Sequence, residues 1–243
     1  MTTMTPRQSK LLKAIIDEFI HSAEAVGSVN LANKYRLGVS PATIRNEMAD
    51  LVRQGYLEKP HSSSGRVPTT MGFKYFIDKL LQELDELDVE SSHTIKETLF
   101  QTRFNTDQLI YQALNVLAEQ SNNLALAILP DRVYYSGLSQ FVGMPDYVNR
   151  SEVSDILRIV EDFSVLNGLF SKYRGDNKIR ILIGEDTGHG SLANTALIFS
   201  PIKMHGNATG YLALLGPNRM NYARNIPLVD FIADSLNEVI SGW

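Results

Sequence analysis

The chain has 243 residues, of which 44% are hydrophobic and 21% are charged, with a formal net charge of −4 at pH 7. This composition is typical of globular domains, and no run of about 18 apolar residues is present to span a membrane, so we expect a cytoplasmic protein. Cysteine is absent, which excludes disulfides and thiol redox sensing. Charge is uneven, because residues 1–80 carry a net +4 and the remaining 163 residues a net −8. The positive charge predicts an anionic partner for the first part of the chain.

Three helices are predicted in the first 55 residues. Apolar residues recur at helical spacing from Leu11 to Ile20, and a short second helix follows over residues 28–35. Gly38 lies where a tight turn is needed before the third helix. Ser40 is a predicted N-cap and Pro41 suits the first helical position, where no amide proton is required. This order favours a helix-turn-helix.

The third predicted helix has one apolar face and one small, polar face. With Ile44 directed to the core, the residues on the same side are Met48, Leu51 and Val52. The opposite face carries Ala42, Thr43, Asn46, Ala49 and Arg53, with Arg45 at its margin. Small residues permit close approach to a major groove, and Thr, Asn and Arg can contact base edges or phosphates. An ordinary amphipathic helix with a solvated face is the alternative.

A polar loop between two short strand-like segments follows, at residues 56–58 and 67–69. Lys59 and Arg66 can contact phosphates or enter a minor groove, and the hydroxyl and amide groups between them can donate hydrogen bonds to phosphate oxygens. A surface loop without a ligand is the alternative. Together, the helix and loop supply the predicted DNA-binding residues, which are Ser40, Ala42, Thr43, Arg45, Asn46, Arg53, Lys59, His61, Ser63, Ser64, Gly65 and Arg66.

The rest of the chain predicts an α+β domain reached through helices. A helix is expected from Thr70 to about Leu87, and a long helix or helix pair over residues 89–121 with Ser92 as its cap. Strands are then expected at LALAIL, VYYSG and KIRILIGE. A hairpin is expected from NTALIFSPIKM and TGYLALLGP. The segment VSDILRIVEDFSVLNGLFSKY is expected to be one helix. Interleaved strands and helices, with the helices on one side, indicate a sheet domain. The predicted divisions are 1–88, 89–121 and 122–243.

Motifs for catalysis or cofactor binding are weak in this sequence. The glycines of GEDTGHG (residues 184–190) match neither a dinucleotide nor a P-loop fingerprint. Glu185, Asp186 and His189 lack the supporting ligands of a metal site, and Ser191 lacks the context of a nucleophile. We therefore expect no enzyme activity, no catalytic residues, no cofactor and no metal.

Several long motifs resemble the family of heat-inducible transcription repressors, HrcA. They are SPATIRNEM and SSGRVPT in the N-terminal part and GPNRMNYAR near the C-terminus. The resemblance implies a winged helix-turn-helix domain, a helical linker and a GAF-like regulatory domain. It also implies a homodimer that binds an inverted-repeat operator of chaperone operons, is released on heating, and is maintained by the GroE chaperonin. This chain is a short form, since NNLALAILPDR passes almost directly to VYYSGLSQF where family members carry an inserted dimerisation segment.

The sequence thus predicts a DNA-binding repressor that blocks RNA polymerase by occupying its site. Thermal unfolding of a marginally stable dimer or GAF-like domain is a physical route to heat release. The main alternative is a regulator that senses a small molecule in the C-terminal domain. An enzyme with a tethered DNA-binding head and a winged helix that binds protein remain weaker alternatives.

Overall fold

The structure, a computed structural model, describes residues 4–60, 65–81, 84–147, 149–173, 179–204 and 208–241. The chain divides into two compact units, Met1–Glu83 and Leu84–Trp243. Within the described residues, no helix is both long enough and apolar enough to cross a membrane.

The first unit begins with three helices. Helix α1 (Pro6–Ser22) begins with a capping box, in which Thr5 and Gln8 satisfy each other's backbone amides. Helix α2 (Ser28–Lys34) and helix α3 (Pro41–Arg53) follow, and Gly38 between them has the positive φ of +70° that favours glycine. The predicted start of α3 at Pro41 is confirmed, whereas the predicted second helix ends one residue earlier than expected.

A two-stranded antiparallel sheet completes the first unit together with one further helix. Strand β1 (Leu57–Glu58) pairs with β2 (Val67–Pro68), with Leu57 opposite Pro68. Helix α4 (Thr70–Tyr75) continues into a π-helical turn at Phe76–Leu80. The expected helix to Leu87 is therefore too long. The reason is that the amide of Leu81 bonds the carbonyl of Phe76 and Leu81 itself leaves the helical region with ψ of 84°.

Helices surround a five-stranded antiparallel sheet in the second unit. The strand order is β4-β3-β7-β6-β5. The helices are α5 (Val89–Gln101), α6 (Thr106–Ser121), α7 (Leu138–Val142), α8 (Arg150–Glu161), α9 (Phe163–Ser171) and α10 (Tyr222–Ser241). The strands are β3 (Leu124–Ile128), β4 (Val133–Ser136), β5 (Arg180–Ile183), β6 (Thr195–Lys203) and β7 (Thr209–Pro217).

Both faces of this sheet are covered. Helices α6 and α10 pack on one face, and the other face joins α7, α8 and α9 in one apolar cluster. Every residue of β3 is buried as a consequence, which explains why this strand is apolar throughout instead of alternating. The expectation of helices on one side of the sheet is wrong for this reason.

Two helix expectations are corrected in the second unit, and one is confirmed. The segment 89–121, expected as one long helix or a helix pair, is a pair that packs within the unit, through Ile95 and Leu99 of α5 and through contacts of α6 with α10. Asp88, and not Ser92, caps α5 by accepting from the amide of Ser91 at 2.7 Å. The segment expected as one helix from residue 153 is two helices, because Asp162 caps α9 by accepting from the amides of residues 164 and 165.

Candidate nucleic-acid interface

Helix α3 presents a small, polar face to solvent. Ile44, Met48 and Leu51 are buried, as the helical spacing predicts. On the other side Ala42 and Asn46 are exposed, while Thr43 and Ala49 are partly exposed. A face of this kind can approach another surface closely, because its side chains are short and its polar groups are directed outward.

Two polar side chains of this helix have structural partners that limit their freedom. The Ser40 hydroxyl accepts from the amide of Thr43 at 3.2 Å and lies 3.1 Å from the Thr43 hydroxyl. Ser40 thus caps the helix, and Thr43 is held at its first turn. Arg53, at the other end, forms an exposed ion pair with Asp50. An exposed pair of this kind contributes little to stability, so Arg53 can exchange Asp50 for another anion.

Three cationic side chains, one of them from α3, line a single cavity. Arg45, Lys59 and Arg66 line a cavity of about 370 Å³, together with the residues that start α2, among them Ser28. Lys59 follows β1 and Arg66 precedes β2, so the small sheet brings both toward the exposed Arg45. The three positive charges make this cavity suited to an anion such as a phosphate.

Backbone pairing fixes the base of the loop between β1 and β2. Val26 and Arg66 exchange two backbone hydrogen bonds of 2.9 Å, which tie this loop to the link between α1 and α2. Gly65 is buried, and a β-carbon there would lie 2.6 Å from the carbonyl oxygen of Ala25. Gly65 therefore has a packing role, and its predicted DNA contact stays a prediction. The predicted contacts at His61, Ser63 and Ser64 lie outside the described residues.

Two buried carboxylates support the helices, and neither was predicted from the sequence. Glu47 is buried on α3 and accepts from Nε of Arg7 at 2.9 Å, which joins α3 to α1. Glu18 is buried on α1 and accepts from Lys34 Nζ at 2.6 Å. The burial of Glu18 could have been predicted from helical spacing, because Glu18 follows Leu11 by seven residues and therefore lies on the apolar face of α1.

The Glu18 cluster is a charged connection between α1 and the end of α2. Hydrogen bonding from Lys34 lowers the pKa of Glu18 below its ordinary value. Asn30 and Tyr35 also donate to this carboxylate, at 3.3 Å each. Burial and the neighbouring Glu18 charge raise the pKa of Tyr35 to about 12. The cluster consequently holds α2 in a fixed position relative to α1, with Glu18 ionised and Tyr35 neutral at ordinary pH.

The second unit contains one well-buried ion pair at a sequence motif. Arg219 of GPNRMNYAR donates two hydrogen bonds of 2.6 Å to the carboxylate of Asp146, and both side chains are largely buried. Tyr222, fully buried, donates to the carbonyl of Asn218 at 2.7 Å. The motif thus has a structural explanation. In the described parts of the chain, no group of three acidic, histidine or cysteine residues could hold a metal ion.

Known proteins similar to this chain cover nearly its whole length. The family model of the HrcA protein C terminal domain matches residues 73–226. A heat-inducible transcription repressor HrcA from Desulforudis audaxviator is 27% identical over 334 residues, covering 96% of this chain and 97% of the relative. The protein of the same name from Pelotomaculum thermopropionicum is 24% identical over 335 residues, with 96% of each chain covered.

A solved structure has the same fold. It is the crystal structure of a hypothetical protein, 19% identical, with a TM-score of 0.82 and 99% of both chains covered.

The first relative is longer than this chain. The 334 aligned positions of the first relative exceed the 243 residues of this chain by 91, so the relative has at least 91 residues with no counterpart here.

The family model covers more than half of the chain and the named relatives cover nearly all of it. The resemblance identified from SPATIRNEM, SSGRVPT and GPNRMNYAR is therefore confirmed. The relatives are named as transcription repressors and not as enzymes. The chain belongs to the HrcA family of heat-inducible transcription repressors.

Proposed function

We propose that the first unit is a winged helix-turn-helix that binds duplex DNA, with α3 as the recognition helix and residues 59–66 as the wing. The observation that carries this proposal is the convergence of Arg45, Lys59 and Arg66 beside the exposed polar face of α3. A helix that reads the major groove needs cations at its flanks to neutralise phosphates, and this arrangement supplies them.

The contacts divide into two kinds. Ala42, Thr43 and Asn46 are proposed to face base edges, where Asn can pair with adenine and a methyl group can contact thymine. Arg45, Lys59 and Arg66 are proposed to bind phosphates, since they share one cavity. The position of Arg45 at the margin of the polar face agrees with a phosphate contact. Arg53 and Ser40 complete the proposed interface at the two ends of α3, together with His61, Ser63 and Ser64 of the wing.

The second unit is proposed to be a GAF-like regulatory domain that pairs two copies of the chain. A dimer places two recognition helices on an inverted repeat, so that each arm of the operator is bound by one copy. We propose chaperone operons as the target, because relatives over the full chain are named heat-inducible repressors. Occupation of the operator would exclude RNA polymerase from the same stretch of DNA.

A small-molecule sensor is the less favoured alternative. The sheet face covered by α7, α8 and α9 is filled by buried aromatic side chains. Phe170 lies 4.8 Å from Phe199 and 5.3 Å from Tyr211 between ring centroids. Phe141 and Tyr147 form a second pair 4.3 Å apart. A ligand on this face would have to displace these rings, so a structural role for the domain is better supported.

The test is binding of the full chain to an inverted-repeat operator duplex and to a scrambled duplex of the same composition. Fluorescence anisotropy at two salt concentrations gives the affinity and its salt dependence, and a stoichiometric titration gives the number of chains per duplex. We expect two chains per operator, with sequence preference. Equal affinity for both duplexes at every salt concentration would refute sequence-specific recognition.

Heat release and chaperonin maintenance are separate parts of the proposal. We propose that heating uncouples the two DNA-binding heads by unfolding the second unit or the dimer, and that the GroE chaperonin restores the folded form. A thermal scan that follows operator binding and unfolding together tests the first part. Retention of binding well above heat-shock temperature would contradict it. Refolding with and without purified chaperonin, followed by the recovered operator-binding activity, tests the second.

A further inference from the structure

We propose that the groove between α5 and α10 is a self-association surface, which contacts the same groove of a second copy of this chain. The groove, called the α5–α10 groove below, has a volume of about 960 Å³ and is lined by side chains that include Lys96, Glu97, Phe100, Phe104, Glu238 and Val239. This inference rests on the proposed function, since it names the surface through which the repressor forms its dimer.

Large aromatic surface is exposed at this groove. Phe100 is 56% exposed and Phe104 is 75% exposed. The guanidinium of Arg103 lies 3.8 Å from the centroid of the first ring and 4.1 Å from that of the second, so the three side chains form one stacked group. Exposed aromatic rings next to arginine are typical of the residues that contribute most to binding at protein interfaces.

Helices α5 and α10 pack against each other at the groove. Lys96 on α5 donates to Glu238 on α10 at 3.1 Å, and its ammonium lies 5.7 Å from the centroid of the Phe231 ring. Leu99 of α5, which also lines the groove, is fully buried. The two helices therefore present a preformed surface, which reduces the conformational entropy lost on association.

The charges of the groove favour a second copy of this chain over a partner whose surface charge is all positive or all negative. Lys96 and Glu238 are paired within one copy, which leaves the positive charge of Arg103 and the negative charge of Glu97 at the groove. A two-fold dimer brings a patch against itself, so a patch that contains both signs can match its own charges. Such a patch offers no net attraction to nucleic acid or to a strongly acidic protein.

The area of the two rings fits a role as the centre of a larger interface. An aromatic side chain buries roughly 150–250 Å², so the exposed parts of Phe100 and Phe104 in two copies bury roughly 400–650 Å². A standard interface buries about 1,600 Å² in total. The rings thus supply about a third of that area, and the flanking surfaces of α5 and α10 would supply the rest.

This chain is shorter than the relative compared with it. At least 91 residues of the compared relative have no counterpart here. The family resemblance assigns the missing segment to the junction of LALAILPDR and VYYSG, and in this chain β3 turns directly into β4 there, with the amide of Leu129 bonded to the carbonyl of Arg132 at 2.8 Å. If that segment pairs the relatives, as the resemblance implies, a dimer of this chain uses surface that the remaining elements provide.

The first experiment compares the mass of the wild-type chain and of Phe104→Glu in solution without DNA, by light scattering after gel filtration. We expect the wild type at twice the monomer mass of 27.1 kDa and Phe104→Glu at the monomer mass. Val142→Glu is the matched control, because Val142 is 46% exposed on α7, which packs on the opposite face of the sheet from α10. The control should remain dimeric.

A second experiment uses the absence of cysteine in this chain. Phe104→Cys and Val142→Cys each introduce a single thiol, and a short bifunctional maleimide should link two copies of the first and few or none of the second. This measurement keeps the wild-type charges and does not depend on breaking the dimer. Circular dichroism melting of each variant establishes that it is folded.

Three results would overturn the proposal. They are a monomeric wild-type chain, a dimeric and folded Phe104→Glu, or equal cross-linking of the two cysteine variants. Operator binding distinguishes this failure from failure of the proposed function. If the chain binds the inverted repeat specifically while Phe104→Glu stays dimeric, the DNA-binding function stands and the dimer uses another surface. If the chain is dimeric through the groove but binds no duplex specifically, the self-association surface stands and the proposed DNA-binding function fails.

Discussion

Removal of one cation from the cavity beside α3 should change the salt dependence of DNA binding in a calculable way. Arg45, Lys59 and Arg66 line this cavity, and each is proposed to neutralise a phosphate. Lys59→Ala is the simplest substitution, because the side chain is exposed and follows the end of β1. We expect it to weaken binding to operator and scrambled duplexes by the same factor, since phosphate contacts carry no sequence information.

The magnitude follows from counterion release. Each phosphate contact contributes about −0.9 to the slope of log K against log salt concentration. A dimer loses one contact from each head, so the slope should become less negative by about 1.8. Between about 50 and 200 mM salt, the wild type should therefore lose about 12-fold more affinity than Lys59→Ala does.

Fluorescence anisotropy titrations over that salt range measure this difference. Lys79→Ala is the matched control, because it removes one positive charge from an exposed residue of the same unit that does not line the cavity. The control should keep the wild-type slope. An unchanged slope for Lys59→Ala, or a loss confined to the operator duplex, would refute the assignment of this cation to phosphate.

The remaining predictions concern the stability of the first unit. Leu51→Ala should lower the free energy of unfolding by about 2–5 kcal/mol, because the side chain is fully buried; denaturant titration measures this loss. Gly65→Ala should lower it by about 1–3 kcal/mol, since the new methyl group meets the Ala25 carbonyl, and Gly27→Ala, where space is open, is its control. Because the pKa of Glu18 is lowered, its ion pair stabilises the fold at pH values above 4.5, which is the ordinary pKa of this group. This stabilisation is lost as the pH falls below that value. Glu18→Gln should therefore flatten the decrease in stability on acidification, and an unchanged decrease would contradict the role given to this carboxylate.

The helices of the first unit could be predicted from the sequence because their signals are local. A serine cap followed by proline fixes the start of α3, and helical spacing separates buried Ile44 from exposed Asn46. The strands of the second unit were also recognised, since short β-branched and apolar runs between turn residues are local features. The identity of the family could likewise be recognised from contiguous motifs.

Other features required the tertiary structure, because they depend on contacts between residues far apart in the chain. The Val26–Arg66 backbone pairing and the burial of Gly65 against Ala25 join segments forty residues apart in sequence. The same holds for the cavity shared by Arg45 and Lys59, on which the proposed phosphate contact of Arg45 rests. A helical wheel gives the direction of a side chain from its own helix but not the neighbours that it meets.

The sequence by itself determined the order of the first three helices, the separation of a basic first part from an acidic remainder, and the family, since each is carried by neighbouring residues or by composition. Only the tertiary structure decided that helices cover both faces of the sheet and that residues 89–121 belong to the second unit. It also decided that Phe100 and Phe104 stay exposed although they are apolar. Burial is a property of the assembled elements, because the same apolar side chain can stabilise a core or a surface according to what packs against it.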